Sequence, residues 1–534
     1  MPHLTPRECL ASLNDLRGKD AAELHILFDG MLDALLATTP PSRLHLDVLE
    51  RMRDPLDRAL ATRARHDCEH PVAPGTAEDG VLLGIVATWN RMGDAYALVT
   101  RDTALGNTAG MHALLAQRRT DCRARAVFEY MRAHRATAPG LWKALHESLL
   151  DAEARGLAWT RVSDPLNPWQ AQSAAEAHTA LLLVDLSSPF SRSPREFDQI
   201  WHCARHFAPH CRLLPEDSDP GRAPLAAYGI DLHADHGVRP MTTMPGLQQL
   251  RRLDGLQLSE RFRDVIAQLR QQRNATILGL DPSVSAEEAT RLLLSLYRPW
   301  ARGVSQRRFV RRLDGGTAEL IGDWTAIGFY VSGKAFTQPD IPHSSEGLHN
   351  DFRMLTMGER ITPISTDGTP EIRQAAELRG YICTQWEILD QSLDGFHLRR
   401  HGSTERLEHR QLIAIRPREA KAFQLGMISW VMYGEDSALE TGIKLLAGMP
   451  AVVAVRSAGI GREHYAGSFQ PAFRLSETPA LKAPATLVLP AGYFQPFRVV
   501  EIHDGGLRGY RLLERVMRGA DFDQVTFEAI SVGA

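Results

Sequence analysis

The chain has 534 residues, of which 44% are apolar and 23% are charged, and its formal net charge is −3. This length exceeds what one hydrophobic core can organise, so we expect about three domains of ordinary globular composition. The slightly acidic balance argues against a general nucleic-acid-binding protein, because such proteins usually carry a basic surface.

The N-terminus has no basic stretch followed by an apolar core, and we therefore expect no signal peptide. No apolar run approaches the ~20 residues that a membrane-spanning helix needs, so no transmembrane segment is expected. The six cysteines are spread along the chain without a tight framework, which favours a reducing compartment. Together these features predict a cytoplasmic protein.

Residues 1–250 are predicted to form an α-helical domain, a bundle or solenoid of paired helices. Thr5 and Pro6 are typical of a helix cap and its first turn, and Ser193 and Pro194 repeat this pattern. Apolar residues recur at three and four positions, as on one face of an amphipathic helix. The first such stripe holds Leu24, Leu27, Phe28, Met31, Leu32, Leu35 and Leu36. Near the end of this region, the prolines and glycines of residues 214–248 predict a long connector or a pair of weak strands.

Residues 251–300 are predicted to be a helical connector. Ser285 and Glu288 have the spacing of a capping box, and Pro299 is expected to stop the helix that they open. An arginine cluster follows directly, in which Arg307 and Arg311, and likewise Arg308 and Arg312, are four residues apart. In a chain of negative net charge, such a local cluster indicates a small anionic partner rather than a long polyanion.

The next segment alternates in hydrophobicity on both sides of Gly322-Asp323, which predicts a β-hairpin over residues 317–331. Residues 337–370 show no regular pattern, and residues 371–378 predict a short helix.

A short acidic bend lies between two β-prone runs further along the chain. Asp390, Ser392 and Gly395 have the spacing Asp-x-Ser-x-x-Gly. Asp and Ser side chains hydrogen-bond to backbone two residues on, and Gly tolerates positive φ, so this stretch predicts a turn between two strands. The turn would leave a carboxylate and a hydroxyl at the edge of a rigid sheet.

Further β-prone runs follow the bend. Residues 411–416, 424–431 and 440–446 predict later strands of the same β unit. Four more short runs between residues 485 and 527, separated by prolines and glycines, predict a small second β unit or strands added to the first one.

The bend and the arginine cluster together resemble the two halves of the signature of PilZ domains, which bind the bacterial second messenger cyclic di-GMP. The fold class that this resemblance implies is multidomain α + β: a helical N-terminal bundle or solenoid, then a PilZ-like antiparallel β-barrel with a small C-terminal β extension. The barrel would occupy residues 301–456 and the extension residues 457–534. Since 79 residues separate Arg311 from Asp390, an insert at about 337–380 would interrupt the barrel after its first hairpin.

The resemblance implies that cyclic di-GMP is bound by Arg307, Arg308, Arg311, Arg312, Asp390, Ser392 and Gly395. Arginine suits this ligand because its planar fork binds phosphate oxygens, reads a guanine edge and stacks on a purine. Asp390 would accept from a guanine N–H edge, and Ser392 would bond a phosphate or brace the turn. Gly395 allows close backbone approach.

The function implied is that of a cyclic di-GMP receptor without cofactor or enzymatic activity. It would relay the messenger level to an unidentified protein partner, held by the helical region, in motility, pilus, biofilm or secretion control. The first alternative is a degenerate PilZ-like domain that serves as a protein-interaction scaffold without binding nucleotide. A second alternative is a metal-dependent enzyme built on the His and Cys residues near 66–70, 202–211 and 233–236, although their spacing matches no metal motif and favours ordinary packing.

Overall fold

The computed structural model describes residues 4–67, 71–101, 108–215, 228–244, 249–255, 257–272, 274–302, 311–313, 315–339, 369–402, 406–458 and 468–530. It divides into two compact units. The first comprises Met1–Arg307 and Met432–Ser437, and the second comprises Arg308–Val431 and Ala438–Ala534. Within the described ranges, no helix is both long and apolar enough to cross a membrane.

The first unit is mainly helical. Its helices are α1 (Pro6–Ser12), α2 (Ala21–Ala37), α3 (Arg43–Asp67), α4 (Ala77–Val99), α5 (Ala109–Arg132), α6 (Leu141–Ala154), α7 (Ala174–Leu186), α8 (Pro194–Phe207), α9 (Leu258–Gln272) and α10 (Ala286–Ala301). Its strands are β1 (Val162–Ser163), β2 (Ala171–Gln172), β3 (Arg212–Pro215), β4 (Tyr228–Asp231), β5 (Arg239–Pro240) and β6 (Leu250–Asp254). β1 pairs with β2, and the other four form an antiparallel sheet in the order β3-β6-β4-β5.

The predicted helix starts are confirmed at atomic level. The Thr5 hydroxyl caps α1 in a reciprocal capping box with Glu8, and Pro6 takes the first helical position. Ser193 caps α8 in the same way. α10 begins after Ser285 but continues through Pro299 to Ala301, so the helix ends two residues later than the sequence predicted.

Helix α5 joins the two apolar cores of the first unit. Cys122 and Tyr130 pack with side chains of α2, α3 and α4, whereas Val127 and Phe128 pack with side chains of α6 to α10. The latter core includes Phe262 of α9. Residues 251–300, predicted as a connector, therefore form part of the packed helical unit.

A buried ion-pair network also crosses this unit. Arg53 of α3 donates through Nη1 to Asp164 Oδ1 at 2.7 Å and through Nη2 to Asp164 Oδ2 at 3.1 Å. Arg53 also donates to Asp121 of α5, as does Arg125. Burial alone would raise the pKa of Asp164, but the hydrogen bonds and charge of Arg53 outweigh it and hold this pKa below its ordinary value.

The second unit contains two closed antiparallel barrels of six strands each. Their elements are β7 (Gly316–Ile321), α11 (Trp324–Ser332), α12 (Thr369–Glu377), β8 (Thr384–Ser392), β9 (Gly395–Arg400), β10 (Leu412–Pro417), β11 (Gln424–Tyr433), β12 (Leu439–Leu445), β13 (Pro450–Ser457), β14 (Gln470–Leu475), β15 (Thr486–Pro490), β16 (Val499–His503), β17 (Leu507–Arg518) and β18 (Phe522–Ile530). The first barrel closes in the order β10-β11-β12-β9-β8-β7, and the second in the order β13-β14-β15-β18-β17-β16. The predicted fold class, a helical N-terminal region followed by antiparallel β-barrel structure, is confirmed.

Two details of the barrels differ from the sequence analysis. The hairpin predicted at 317–331 is wrong, because only its first half is a strand, β7. Asp323 then accepts from the backbone N–H of Ala326 at 2.8 Å and caps α11. The excursion therefore interrupts the first barrel after one strand rather than after a hairpin, and much of it lies outside the described residues.

The boundary between the barrels also differs. Residues 450–456, predicted within the first barrel, belong to β13, which pairs with β14 and β16 of the second barrel. The C-terminal extension is thus a complete barrel that takes a strand from this segment. An apolar cluster that includes Leu412, Leu425, Phe473 and Phe522 contains side chains of both barrels.

Candidate functional site

The acidic bend is the tight connection between β8 and β9 of the first barrel. Ser392 pairs with Gly395, so only Leu393 and Asp394 form the loop. The Ser392 hydroxyl lies 2.8 Å from Asp394 Oδ1 and 3.3 Å from the Gly395 carbonyl oxygen, which makes it a donor that braces the bend. The Asp394 carbonyl accepts from Leu445 N–H at 2.8 Å, which ties the bend to the end of β12.

A β-bulge determines where the carboxylate of Asp390 points. Ile388 lies opposite Leu398, and Asp390 lies opposite His397, so Leu389 is an extra residue on β8. Ile388 and Leu398 are buried inside the barrel. Strict alternation from Ile388 would also turn Asp390 inward, and the extra residue instead places it on the outer face beside His397.

The described residues of the arginine cluster, Arg311 and Arg312, lie next to the acidic bend. Arg312 N–H donates to the Gln391 carbonyl at 2.8 Å, and Gln391 N–H donates back to the Arg312 carbonyl at 2.9 Å. This pairing places Arg311 at the bend, where its Nη1 donates to Asp390 Oδ2 at 2.8 Å. The Arg311 side chain remains 36% exposed. The 79-residue separation of Arg311 and Asp390 in the chain thus does not separate them in space.

The other predicted arginines, Arg307 and Arg308, lie outside the described residues. The structure therefore brings five of the seven predicted site residues into one neighbourhood, namely Arg311, Arg312, Asp390, Ser392 and Gly395.

The two oxygens of Asp390 have different surroundings. Oδ2 accepts from Arg311 and is 3.3 Å from Nδ1 of His397. Oδ1 is buried and has no hydrogen-bond partner among the described residues. A buried carboxylate oxygen without a donor is costly, so this atom is suited to accept from a ligand N–H group.

The sequence analysis missed a second layer of polar residues on the same face. His397 Nε2 lies 2.9 Å from Oε2 of Glu440 on β12. Glu440 Oε1 accepts from Arg399, with Nη2 at 2.8 Å and Nε at 3.1 Å. The hydrogen bond from His397 holds the pKa of Glu440 below its ordinary value, although burial acts in the opposite direction. No local pattern could show that Glu440, which is 43 residues away in the chain, lies beside His397.

Trp430 of β11 covers one side of His397. The two ring centroids are 5.0 Å apart with an edge-on arrangement. The indole lies directly against β12 at Gly442, where a Cβ atom would collide with it. The Trp430 indole therefore lies along one side of a row of polar and charged side chains, which we call the charged row. Its members are Arg311, Asp390, His397, Glu440 and Arg399.

Gly395 is needed for packing at the bend. A Cβ at this position would collide with the carbonyl oxygen of Ile443 on the neighbouring strand β12. The close backbone approach at Gly395 is therefore a contact between two strands of the barrel, β9 and β12.

Two arginines that follow the excursion, and the His and Cys residues of the helical unit, lie in other surroundings. Arg373 forms an ion pair with Glu319, and Arg379 lies over the ring of Phe329 at 5.4 Å. His206 stacks on Trp169 at 4.8 Å within the helical unit. Among the described residues, no group of three His, Cys, Asp or Glu side chains is arranged to hold a metal ion. Cys68 and His70 lie outside those residues.

The fold and the site together define a class of protein: a helical domain joined to barrels, one of which presents an arginine-flanked acidic bend. Comparison with protein families adds two matches. Residues 7–217 match the model described as "Cyclic-di-GMP receptor FimW, N-terminal domain", and residues 453–530 match the "FimW C-terminal beta-barrel domain". The two matches follow the order of the family and together span more than half of the chain. The chain belongs to the FimW family of cyclic-di-GMP receptors.

The matched segments coincide with parts of both units. The N-terminal match covers α1 to α8, and the C-terminal match covers most of the second barrel. Neither model is described as PilZ, and the first barrel with its bend lies between the two matches. A comparison with curated proteins gave no match.

Proposed function

We propose that the chain binds cyclic di-GMP on the outer face of its first barrel, between the Arg311-Arg312 segment and the bend at 390–395. The observation that carries this proposal is an exposed guanidinium, that of Arg311, beside a buried acceptor, Asp390 Oδ1, which has no hydrogen-bond partner among the described residues. Cyclic di-GMP offers a partner to both: its phosphates can bind the guanidinium, and its guanine N–H groups can donate to the carboxylate oxygen. The family match favours this function over the alternative of a scaffold that binds no nucleotide.

Each residue has a distinct role in the proposed site. Arg311 binds a phosphate oxygen or stacks on guanine through its exposed guanidinium. Arg312 holds this segment at the bend through its backbone hydrogen bonds with Gln391. Asp390 accepts from the guanine N–H edge through Oδ1. Ser392 keeps the bend in shape through its contacts with Asp394 and the Gly395 carbonyl.

The Arg311–Asp390 ion pair suggests how binding is transmitted. Arg311 Nη1 donates to Asp390 Oδ2 at 2.8 Å. A bound phosphate competes for this guanidinium, so the segment that carries Arg311 changes its contacts when the nucleotide arrives. We propose that this change is relayed to a protein partner held by the helical unit, in motility, pilus, biofilm or secretion control.

Titration calorimetry with cyclic di-GMP tests the site. We expect micromolar or tighter binding by the wild type and a loss of at least about tenfold in Arg311→Ala, since a charge-assisted contact is worth ~1.5–3 kcal/mol. Ser392→Ala should lose less. The matched control is Arg511→Ala, because Arg511 is similarly exposed and pairs with Glu528 at 2.9 Å on the second barrel. Equal affinities of Arg311→Ala and the wild type would place the ligand elsewhere.

A further inference from the structure

His397 occupies an unusual position for a histidine of the barrel surface, because a carboxylate lies at each of its ring nitrogens. Nδ1 is 3.3 Å from Asp390 Oδ2, and Nε2 is 2.9 Å from Glu440 Oε2. The ring is 19% exposed. A carboxylate only accepts hydrogen bonds, so both ring nitrogens must carry a proton to satisfy both contacts.

The neighbours of His397 reinforce this requirement. Glu440 is held as an anion, because His397 and Arg399 both donate to it and its pKa is lowered. Asp390 is paired with the Arg311 guanidinium. A neutral ring would turn a nitrogen lone pair toward one of the two carboxylates, which repels it and removes one hydrogen bond.

Two further charged residues of the described strands lie near this face. Lys444 is exposed and lies opposite Gly395 in the register of β9 and β12, and Glu387 lies opposite Arg399 in the register of β8 and β9. Trp430 approaches from β11 with an uncharged ring edge. Between Asp390 and Glu440 the bridging group is the His397 ring.

We propose that His397 is a positioning residue whose doubly protonated ring aligns Asp390 for guanine and thereby links nucleotide binding to a proton. His397 holds Oδ2 of Asp390 also when a phosphate competes for Arg311, and this leaves Oδ1 directed at the ligand. When the ring loses its proton, the Asp390–His397–Glu440 row loses one of its two hydrogen bonds, and Asp390 is no longer fixed. This inference rests on the proposed function, since it concerns the same site.

The test is the affinity for cyclic di-GMP between pH 5.5 and pH 8, measured by calorimetry on the full chain. We expect wild-type affinity to fall about tenfold as the pH rises across this range, the equivalent of one hydrogen bond to a charged group. His397→Gln should bind about tenfold more weakly than the wild type at pH 5.5 and show a flat profile. His503→Gln, a histidine change on β16 of the second barrel, should keep the wild-type profile.

A second variant separates the proton from simple structural support. In Glu440→Gln the amide N–H can donate to Nε2, so a neutral His397 can still donate from Nδ1 to Asp390. We expect this variant to bind at pH 8 as well as at pH 5.5. Calorimetry at pH 7 in buffers of different ionisation enthalpy should also show proton uptake on binding by the wild type and none by His397→Gln.

The possible failures are distinguishable. A flat wild-type profile, with binding still abolished by Arg311→Ala, overturns the role of His397 and leaves the site in place. A wild-type protein that does not bind, or whose binding ignores Arg311→Ala, overturns the proposed site and this inference with it.

Discussion

Arg312 and Gln391 exchange a reciprocal pair of backbone hydrogen bonds, at 2.8 and 2.9 Å, across the long excursion that follows β7. Backbone pairing fixes the segment before β7 more firmly than a side-chain contact would, because it holds the direction as well as the distance. As a consequence, Arg311 lies beside Asp390. The proposed site is therefore preorganised on the arginine side as well as on the bend.

The first prediction concerns ligand specificity. Asp390 Oδ1 accepts hydrogen bonds, and guanine presents N–H donors on the edge where adenine presents a ring-nitrogen acceptor. We expect the wild type to bind cyclic di-GMP at least about tenfold more tightly than cyclic di-AMP, since a missing partner leaves a buried polar group unpaired. Asp390→Asn should weaken binding of cyclic di-GMP and narrow this preference.

Competition calorimetry with both nucleotides measures the ratio directly. Asp504→Asn is a matched control, because Asp504 pairs with Arg474 at 3.4 Å on the second barrel. A preference for guanine that survives intact in Asp390→Asn would assign recognition to another residue.

The second prediction concerns the packing of the bend. Gly395→Ala places a methyl group against the Ile443 carbonyl, so β9 and β12 must separate. We expect a loss of ~1–3 kcal/mol in the free energy of unfolding, as for other overpacked sites. Thermal unfolding followed by calorimetry gives the shift.

Gly328→Ala supplies the control in the same unit. Gly328 lies within α11, and an added Cβ meets nothing within 4 Å. Alanine also favours the helix by ~1 kcal/mol, so this variant should be as stable as the wild type or more so. Equal effects of the two changes would contradict the close approach at Gly395.

The third prediction concerns the buried ion pairs of the helical unit. Asp164 is fully buried and receives both Nη1 and Nη2 of Arg53. Asp164→Ala leaves that guanidinium without its main partner, and we expect a loss of ~3–5 kcal/mol in the free energy of unfolding. Denaturation in urea measures this difference.

The comparison is the exposed pair of Arg155 and Asp151, in which Nε and Oδ1 are 3.1 Å apart. Arg155→Ala should change the free energy of unfolding by less than ~0.5 kcal/mol, because water screens the exposed charges. A small effect of Asp164→Ala would mean that Asp121, the other partner of Arg53, is enough to hold the network.

The fourth prediction concerns pH. Burial raises the pKa of Asp185 to about 6, although its side chain accepts from Val238 N–H at 2.8 Å. The ordinary value is 3.8. Between about pH 4 and pH 6 the unfolded chain therefore releases this proton while the folded chain keeps it. The contribution of Asp185 to stability is present below this window and is lost as the pH rises, by ~3 kcal/mol at most.

Asp185→Asn removes this titration and retains an oxygen that accepts from Val238. The difference in stability between the variant and the wild type should shift in favour of the variant from pH 4 to pH 7, as measured by urea denaturation. Buried histidines such as His206, whose pKa is lowered to about 4 mainly by burial, act in the opposite direction in both proteins and cancel in the difference. A constant difference across this range would show that Asp185 ionises normally.

Local sequence patterns were enough to predict several helices and the acidic bend of this protein. Capping residues and apolar stripes located helices such as α1 and α8, because these signals lie within a few neighbouring positions. The turn chemistry of Ser392 and Gly395 located the bend for the same reason. The class of ligand followed from the resemblance to PilZ domains, and the arginine pairs and the acidic turn are residue types that suit it.

The tertiary structure decided what depends on distant neighbours. Residues 325–331 form a helix because Asp323 caps them, although their apolar pattern also suited a strand. β13 joined the second barrel because its pairing partners lie later in the chain. The bulge at Leu389 moved Asp390 to the outer face, and only barrel closure placed Glu440 beside His397. Strand register and cross-strand contacts are fixed by packing between segments far apart in sequence, so no local pattern could specify the charged row around Asp390.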